Sequence, residues 1–308
     1  MREIRYLQLD VFTNRVFGGN QLAVFLNAEG VTAEAMQLIA REMNFSESTF
    51  VLPATDPKAL ARVRIFTPSA ELPFAGHPVV GTTFALAHQR RIRVDDISPV
   101  QLELGVGLLP VDVLFEGEEL CFVWMHQPLP SFRAWTGERA RLAAAVGLSV
   151  DDLASDLLIE RGSSGVPFIY IPVRDRETLA RARHTPDLVA AMNDESPQVG
   201  AYLFSLEPGP VAHSRMFGLA MGIAEDPATG SAAGPFGVYL LRHGLLQPDE
   251  HEQSRLRVWQ GEDMMRPSVI EVEITGPMDG VRDVRVGGES VVVAEGTLLL
   301  PKSALAEE

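Results

Sequence analysis

Two helix-sized segments with almost no charge constrain the fold of this chain more than any other feature. The first runs from His77 to His88, and the second begins near Ser231 and carries no charge before its last turn, with Gly244 as a plausible stop. A helix that is apolar on all faces is buried on all sides. Each segment therefore needs strands around it, and 308 residues, 46% of them hydrophobic, are enough for two such cores.

The same short loop precedes both segments. Glu71-Leu-Pro-Phe-Ala-Gly-His matches Glu225-Asp-Pro-Ala-Thr-Gly-Ser in its Glu, Pro and Gly at an offset of 154 residues, half of the chain. Upstream, Arg64-Ile-Phe and Arg215-Met-Phe match at an offset of 151. The common order of strand, Glu-x-Pro-x-x-Gly loop and apolar helix favours an internal duplication over a chance match.

The remaining pattern mixes strands and helices. Thr32 is placed to cap a helix that ends near residue 43, and two further helices are predicted around 137–146 and 150–154. Apolar runs rich in β-branched residues predict strands near 4–12, 20–26, 48–53, 62–67, 167–173, 200–206 and 212–217.

A proline-rich segment near the middle of the chain, Gln127-Pro-Leu-Pro-Ser-Phe, has the composition of a linker. We therefore predict an α+β fold with two similar domains. The first covers 1–127, with C-terminal strands near 288–308 returning to it, and the second covers 128–287.

Charge and hydropathy exclude several classes of partner. The net charge of −15 opposes binding to nucleic acid and to anionic membranes. Charges interrupt the N-terminal segment, and no apolar run approaches the ~18 residues of a membrane span. We expect a soluble cytoplasmic protein. A local anion site remains compatible with this charge, because backbone dipoles can set the field inside a pocket.

The residue inventory excludes several kinds of chemistry. Cys121 is the only cysteine, and its strand-like surroundings favour a buried small hydrophobe over a nucleophile. The only lysines, Lys58 and Lys302, lie outside any phosphate-loop or Schiff-base pattern. No two histidines are spaced at i and i+4, as a helical metal site needs. The sequence also lacks a Gly-x-Ser-x-Gly nucleophile elbow and a Gly-x-Gly-x-x-Gly loop that opens a helix. We therefore expect no metal and no cofactor.

The two helix starts are candidate anion sites. A glycine stands at each predicted helix start, in the pairs Gly76-His77 and Gly230-Ser231. At such a start, backbone N–H groups and the helix dipole favour a negative ligand. If the two domains face each other across a cleft, both starts can hold a carboxylate or an enolate oxygen. Ser231 can equally be an ordinary first-turn helix residue.

Five side chains are candidates for acid–base chemistry: Glu47, Glu71, His77, Glu225 and Asp226. Glu47 lies in a polar loop before a strand, which suits either a carboxylate presented to a cleft or a solvated glutamate. His77 can be a neutral donor, since the helix dipole disfavours the imidazolium, or an N-cap satisfied by backbone. Asp226 can instead form a turn with the proline that follows it.

Six sequence blocks span most of the chain in order. They are Leu9-Asp-Val-Phe-Thr, Phe17-Gly-Gly-Asn-Gln-Leu-Ala-Val, Asn44-Phe-Ser-Glu-Ser-Thr-Phe, Ile65-Phe-Thr-Pro, Glu71-Leu-Pro-Phe-Ala-Gly-His-Pro and Glu225-Asp-Pro-Ala-Thr-Gly-Ser-Ala-Ala-Gly. No single block is specific, but the combination is, and it resembles the PhzF family of phenazine-biosynthesis-like isomerases.

This resemblance implies a diaminopimelate-epimerase-like fold. Each domain would be a strand barrel around a central buried helix, with the active site between the domains and a homodimer as the usual assembly. It also implies roles for individual residues: Glu47 as the catalytic acid/base, His77, Asp226 and Ser231 as further catalytic-site residues, and Gly76 and Gly230 as substrate-binding positions at the helix starts.

The related epimerases carry two cysteines just before these glycines, where this chain has Ala75 and Thr229. A two-thiol racemase mechanism is therefore excluded by composition. The expected activity is a double-bond-shifting isomerisation of a small anionic, carboxylate-bearing metabolite, without a cofactor. A non-catalytic anion-binding protein, or a lyase or hydrolase using the same carboxylate, remains an alternative, and the substrate and the link to phenazine synthesis stay open.

Overall fold

A computed structural model describes residues 1–95, 99–196 and 198–306. The chain divides into two compact units. The first unit comprises Met1–His126 together with Gly287–Glu308, and the second comprises Gln127–Val286. Residues 307 and 308, at the end of the C-terminal segment predicted to form strands, lie outside the described residues.

The first unit is built mainly from strands. In the part of this unit that the structure describes, the helices are α1 (Ala33–Met43) and α2 (Gly76–His88). Its strands are β1 (Arg2–Val11), β2 (Asn20–Phe25), β3 (Glu47–Leu52), β4 (Ala61–Phe66), β5 (Glu71–Leu72), β6 (Val100–Leu104), β7 (Gly107–Glu116), β8 (Glu119–Gln127, whose last residue belongs to the second unit) and β18 (Ser290–Leu300).

The strands of the first unit pair in a mixed sheet that surrounds α2. β1 lies antiparallel to β18 and β2, β2 is parallel to β3, β3 is antiparallel to β4, and β4 is parallel to β6, which continues antiparallel into β7 and β8. Helix α2 packs against β1, β2, β3 and β18. Every residue from Gly76 to Leu86 is buried, so the prediction from its missing charges is confirmed.

Helix α1 lies on the other side of the same sheet and is amphipathic. Thr32 accepts a hydrogen bond from the Ala35 N–H and caps the helix as predicted. Met36 and Ile39 face Phe25 and Phe50, whose rings stack 4.8 Å apart. Unlike α2, this helix keeps a solvated face, because only one side of it is apolar.

The described residues of the second unit form four helices, α3 (Arg139–Ala145), α4 (Arg176–Arg181), α5 (Leu188–Met192) and α6 (Gly230–Arg242). The helix expected around 150–154 is a short 3₁₀ turn at Val150–Asp152. The strands are β9 (Ser131–Ala134), β10 (Glu160–Ser163), β11 (Pro167–Pro172), β12 (Gly200–Glu207), β13 (Val211–Gly218), β14 (Ile223–Asp226), β15 (Gln253–Gln260), β16 (Ser268–Thr275) and β17 (Asp283–Gly288, which ends in the first unit).

Strand pairing in the second unit repeats that of the first. Antiparallel β10–β11, parallel β11–β12, antiparallel β12–β13, parallel β13–β15 and antiparallel β15–β16 correspond to β1–β2, β2–β3, β3–β4, β4–β6 and β6–β7. The short strands β5 and β14 occupy equivalent places before the two apolar helices. The internal duplication inferred from the Glu-x-Pro-x-x-Gly loops therefore extends to the whole order of strands.

Helix α6 is the counterpart of α2. All its residues except Ser231 and Arg242 are buried, against β10, β11, β15 and β16. Aromatic side chains supply much of its surroundings: Tyr170 stacks on Phe236 and donates a hydrogen bond to the Ala232 carbonyl. The architecture is α+β, as predicted. Among the described residues, no helix has the length and apolar character needed to span a membrane.

Cys121 lies in β8, as its surroundings predict, but it is half-buried instead of fully buried. Its thiol donates to the Leu114 carbonyl across the β7–β8 hairpin. Around the hairpin turn, no residue from Leu114 to Phe122 is buried, and this explains why the apolar neighbours of Cys121 do not place it in the core.

A glycine is required where β15 ends. Gly261 has φ +74°, and an added Cβ would lie 2.6 Å from the Pro227 carbonyl oxygen and closer still to the Arg266 carbonyl oxygen. Since both neighbours are backbone atoms, they cannot rotate away. The turn after β15 and the loop before α6 are thereby held together within the second unit.

We expect Gly261→Ala to lower the free energy of unfolding by ~3 kcal/mol or more, because backbone overlap adds to the strain of a positive φ. Gly209→Ala is the matched control, since Gly209 has φ +88° with open space around it; it should cost only ~1 kcal/mol. Urea unfolding of the two variants measures the difference. Equal losses would show that the close approach at Gly261 has no energetic role.

Candidate functional site

Glu47 and His77 lie against each other inside the first unit. Glu47 is the first residue of β3, beside Leu22 of β2, and His77 is the second residue of α2. Glu47 Oε2 and His77 Nε2 are 3.5 Å apart. Both residues are buried, with 8% and 4% of their surface exposed. The structure thus joins a carboxylate from the loop-to-strand junction with an imidazole from the helix start.

Burial keeps the imidazole of His77 neutral. Desolvation lowers its pKa to about 3, against a smaller opposing effect from a backbone hydrogen bond with Gln21. Within the described residues, Nε2 makes no hydrogen bond. A neutral imidazole has one N–H donor and one acceptor, so this side chain can donate a hydrogen bond without carrying charge at neutral pH.

Asn20 holds the other side of the imidazole. Its Nδ2 atom lies 3.2 Å from His77 Nδ1, and only 1% of Asn20 is exposed. The preceding Phe17-Gly-Gly turn brings Asn20 here: Gly19 has φ +60°, and the Phe17 N–H donates to the buried carboxylate of Asp10 at 2.6 Å. Asn20 belongs to one of the six family-like sequence blocks, but no role was predicted for it.

Asp226 is a buried acidic residue of the second unit, at the end of β14, and it is 5% exposed. The Thr229 hydroxyl donates to Asp226 Oδ2 at 2.6 Å. Gln260, the last residue of β15, contacts both the Asp226 carbonyl and the Thr229 side chain. The sequence does not predict a role for Gln260, because this residue lies 31 or more residues from its partners; Gly261, directly after β15, is the one local signal.

The two apolar helices begin without a capping side chain. Ala75 and Thr229 occupy the N-cap positions, and neither side chain accepts a hydrogen bond from the first turn. Gly76 and Gly230 are the buried first residues of α2 and α6, and half-buried Ser231 follows Gly230. The absence of a cap and the helix dipole together suit each start to an anionic group.

Glu71 and Glu225 belong to ion pairs. Arg64 donates to both oxygens of Glu71 at 2.7 Å, and Arg215 donates to both oxygens of Glu225 at 2.8 Å. The matching Arg and Glu positions of the internal repeat therefore form the same bidentate pair in each unit. This geometry explains why the two glutamates recur and favours a structural role over the acid–base role considered from sequence.

No group of three or more His, Cys, Asp or Glu in the part of the chain that the structure describes is placed to hold a metal ion. The side chains that the structure brings together are a carboxylate and a neutral imidazole in one unit, and a carboxylate held by a hydroxyl in the other. These groups can exchange protons and donate hydrogen bonds, and the uncapped helix starts can hold an anion.

These features define a class of protein: a duplicated α+β architecture with a buried carboxylate–imidazole contact at the start of a central helix. The chain belongs to the phenazine biosynthesis-like protein family, whose model matches residues 9–296. It is 36% identical over 297 residues to the trans-2,3-dihydro-3-hydroxyanthranilate isomerase of Pseudomonas fluorescens, covering 96% of this chain and 99% of the relative. Family and relative together support an isomerase.

Solved structures agree with this assignment. A PhzF-family phenazine biosynthesis protein of Bacillus anthracis superposes with a TM-score of 0.83 at 29% identity, covering 97% of this chain and 100% of that one. A hydroxyproline epimerase of Agrobacterium vitis shares the fold at 13% identity, with a TM-score of 0.64 and coverage of 96% and 92%. The predicted family and the epimerase-like fold are confirmed.

The two ion pairs of the repeat should differ in their contribution to stability. Arg215 is 6% exposed at its side chain and also donates to three backbone carbonyls, whereas Arg64 and Glu71 are 22% and 42% exposed. We expect Arg215→Met to lower the free energy of unfolding by ~3 kcal/mol, since it leaves a largely buried carboxylate without its cation.

Arg64→Met is the matched control and should cost at most ~1 kcal/mol, because water solvates the remaining Glu71. Urea unfolding of both variants, followed by tryptophan fluorescence, gives the comparison. A loss for Arg64→Met as large as that for Arg215→Met would contradict the difference in burial as its cause.

Proposed function

We propose that this protein is a cofactor-independent isomerase of a small carboxylate-bearing metabolite, in which Glu47 removes a proton from substrate carbon and returns it to another carbon. The observation that carries the proposal is the buried contact between Glu47 Oε2 and the neutral imidazole of His77. A carboxylate with little exposure to water has few water contacts that compete with a bound substrate for its oxygens.

The proton balance of this reaction needs no further reagent. The Glu47 carboxylate takes a proton from a carbon adjacent to a carbonyl or vinylogous carbonyl. The electron pair of that C–H bond delocalises over the conjugated system, and the substrate becomes a dienolate. The resulting carboxylic acid then gives the proton to a different carbon of the dienolate. One double bond shifts, and neither oxidation nor reduction occurs. General acid–base help of this kind contributes ~10²- to 10⁴-fold.

The charge that develops on the substrate oxygen needs donors. His77 supplies an N–H without introducing a second charge next to Glu47, because its pKa is lowered to about 3. Backbone N–H groups at the starts of α2, at Gly76, and α6, at Gly230, supply preorganised dipoles for a carboxylate or enolate oxygen. Asp226 and Ser231 serve the same reaction in this proposal, Asp226 as a second proton-transfer group.

The substrate class follows from these donors and from a relative's name. A compound with one carboxylate and a C–H bond made acidic by conjugation suits a site without lysine. The substrate in the name of the Pseudomonas fluorescens relative, trans-2,3-dihydro-3-hydroxyanthranilate, has this chemistry and is the first compound to test. A soluble cytoplasmic homodimer is the form in which we propose that the protein acts.

Glu47→Gln tests the proposal, since glutamine keeps the shape of the side chain and cannot accept a proton. With trans-2,3-dihydro-3-hydroxyanthranilate as substrate, we expect the variant to lose ~10²-fold or more in kcat and to lose deuterium incorporation in D2O. Glu116→Gln, at an exposed position of the β7–β8 hairpin, is the control and should keep wild-type turnover.

Full turnover by Glu47→Gln would refute the proposed base. Binding of the compound by wild-type protein, seen as a raised melting temperature, without any product or deuterium exchange would refute isomerisation of that compound and favour a binding protein.

A further inference from the structure

Gln260 makes an unusually complete set of hydrogen bonds inside the second unit. Its Nε2 donates to the Asp226 carbonyl at 2.7 Å and to the Thr229 hydroxyl at 2.9 Å, and its Oε1 accepts from the Thr229 N–H at 3.1 Å. Only 1% of Gln260 is exposed. A single carboxamide thus joins the two ends of the four-residue loop Asp226–Thr229.

The orientation of this carboxamide is determined by its partners. Exchanging its oxygen and nitrogen would set Oε1 against the Asp226 carbonyl and the amino group against the Thr229 N–H, leaving buried groups unsatisfied. The amide nitrogen therefore faces Thr229 Oγ1 and donates to it. The hydroxyl then has its own proton to give elsewhere, and it gives that proton to Asp226 Oδ2 at 2.6 Å.

The same contact changes what Thr229 does for α6. Threonine at an N-cap normally turns its oxygen toward the first helical turn. Here the hydroxyl is held by Gln260 and Asp226 and makes no capping hydrogen bond. Gln260 therefore has two effects. It holds the Thr229 hydroxyl as a donor to the Asp226 carboxylate, and it keeps the Thr229 side chain away from the N–H groups at the start of α6.

The backbone around Gln260 is built to hold this position. Gly261, with φ +74°, lets the chain turn directly after Gln260, and its close approach to the Pro227 carbonyl ties the turn to the loop before α6. Within β15, the register with β16 places Gln260 opposite Ser268. Because Gln260 is anchored on a strand, its carboxamide can fix residues 227–229, which lie between β14 and α6 outside regular secondary structure.

We propose that Gln260 and Thr229 are positioning residues that hold the Asp226 carboxylate in its reactive orientation, with Thr229 as the donor and Gln260 setting the direction of that donation. This inference rests on the role given to Asp226 under the proposed function. It adds two residues outside the six site positions predicted from sequence, and it assigns a function to the Gln-Gly pair that ends β15.

If Thr229 had a purely structural role, its variants would behave differently. Two substitutions at Thr229 therefore separate a positioning role from a structural one. Thr229→Val keeps the volume and removes the hydroxyl, whereas Thr229→Ser keeps the hydroxyl and removes a methyl group. If the hydroxyl positions Asp226, kcat of Thr229→Val falls by ~10- to 100-fold with KM changed by less than about threefold, while Thr229→Ser stays within about threefold of wild type. If packing alone matters, Thr229→Ser loses at least as much kcat as Thr229→Val, and the proposal is overturned.

We call the hydrogen-bonded set of Gln260, Thr229 and Asp226 the clamp. Gln260→Leu tests the part of the clamp that Gln260 contributes, with Val258→Ala as its control. Val258 is buried two residues earlier on the same strand and touches none of these hydrogen bonds. We expect Gln260→Leu to lower kcat by ~10-fold or more, and Val258→Ala to lower the melting temperature while leaving kcat within about twofold. If Gln260→Leu does not fold, the Thr229 pair decides the question.

A double-mutant cycle distinguishes failure of this inference from failure of the proposed function. Asp226→Asn with full wild-type turnover would remove the role of Asp226 and with it the basis of the clamp. If Asp226→Asn loses activity, Thr229→Val should cause little further loss in that background, because it acts through the same carboxylate. Independent, multiplicative losses would show that Thr229 acts in another way and would overturn the positioning role alone.

A crystal structure of Thr229→Val gives a readout that does not depend on the substrate. The Asp226 carboxylate should leave its position beside residue 229, while β14 and β15 keep their pairing partners. An unchanged Asp226 side chain in that structure would contradict the clamp.

Discussion

Burying a helix on every side within a shell of strands is the constraint on which each unit depends. Once α2 and α6 lose contact with water, their first backbone N–H groups require acceptors, and neither N-cap side chain supplies one. In the proposed reaction, a charged substrate group supplies such an acceptor at the start of each helix. Glu47 and His77 lie at the start of α2, and Asp226 lies just before the start of α6.

The two repeats have kept the scaffold and changed the chemistry. In both, a bidentate Arg–Glu pair joins the strand before the loop to the loop itself, through Arg64 with Glu71 and Arg215 with Glu225. At the helix start, the first repeat has an imidazole facing a carboxylate from a neighbouring strand. The second repeat has Asp226 at the end of β14, where it contacts a hydroxyl that Gln260 holds. The two carboxylates lie at different places of the repeat, because Glu47 begins β3 and the strand equivalent to β3 is β12.

Helices that are marked by a feature of their own residues could be predicted from the sequence. The absence of charge identified α2 and α6, and Thr32 identified the start of α1, because burial and capping are determined within a few residues. The same local view could not separate Glu47 from Glu71, because the residues next to a glutamate do not show which side chain it meets. Glu47 meets His77, and Glu71 meets Arg64. Asn20 and Gln260 stayed without a role because their partners lie 57 and 31 or more residues away.

The charge state of His77 is the property on which the proposed proton transfer depends. Burial lowers its pKa from 6.5 to about 3, so the folded protein binds a proton at this ring only in strong acid, whereas the unfolded chain binds one below about pH 6.5. This residue therefore makes the free energy of unfolding fall as the pH drops from about 6.5 toward 3. The most direct measurement is a ¹⁵N NMR titration of the histidine side chains of the wild-type protein, assigned with His77→Asn. We predict that the His77 imidazole remains neutral from pH 8 to pH 5. Protonation of His77 with a midpoint near pH 6.5 would contradict a neutral donor facing Glu47.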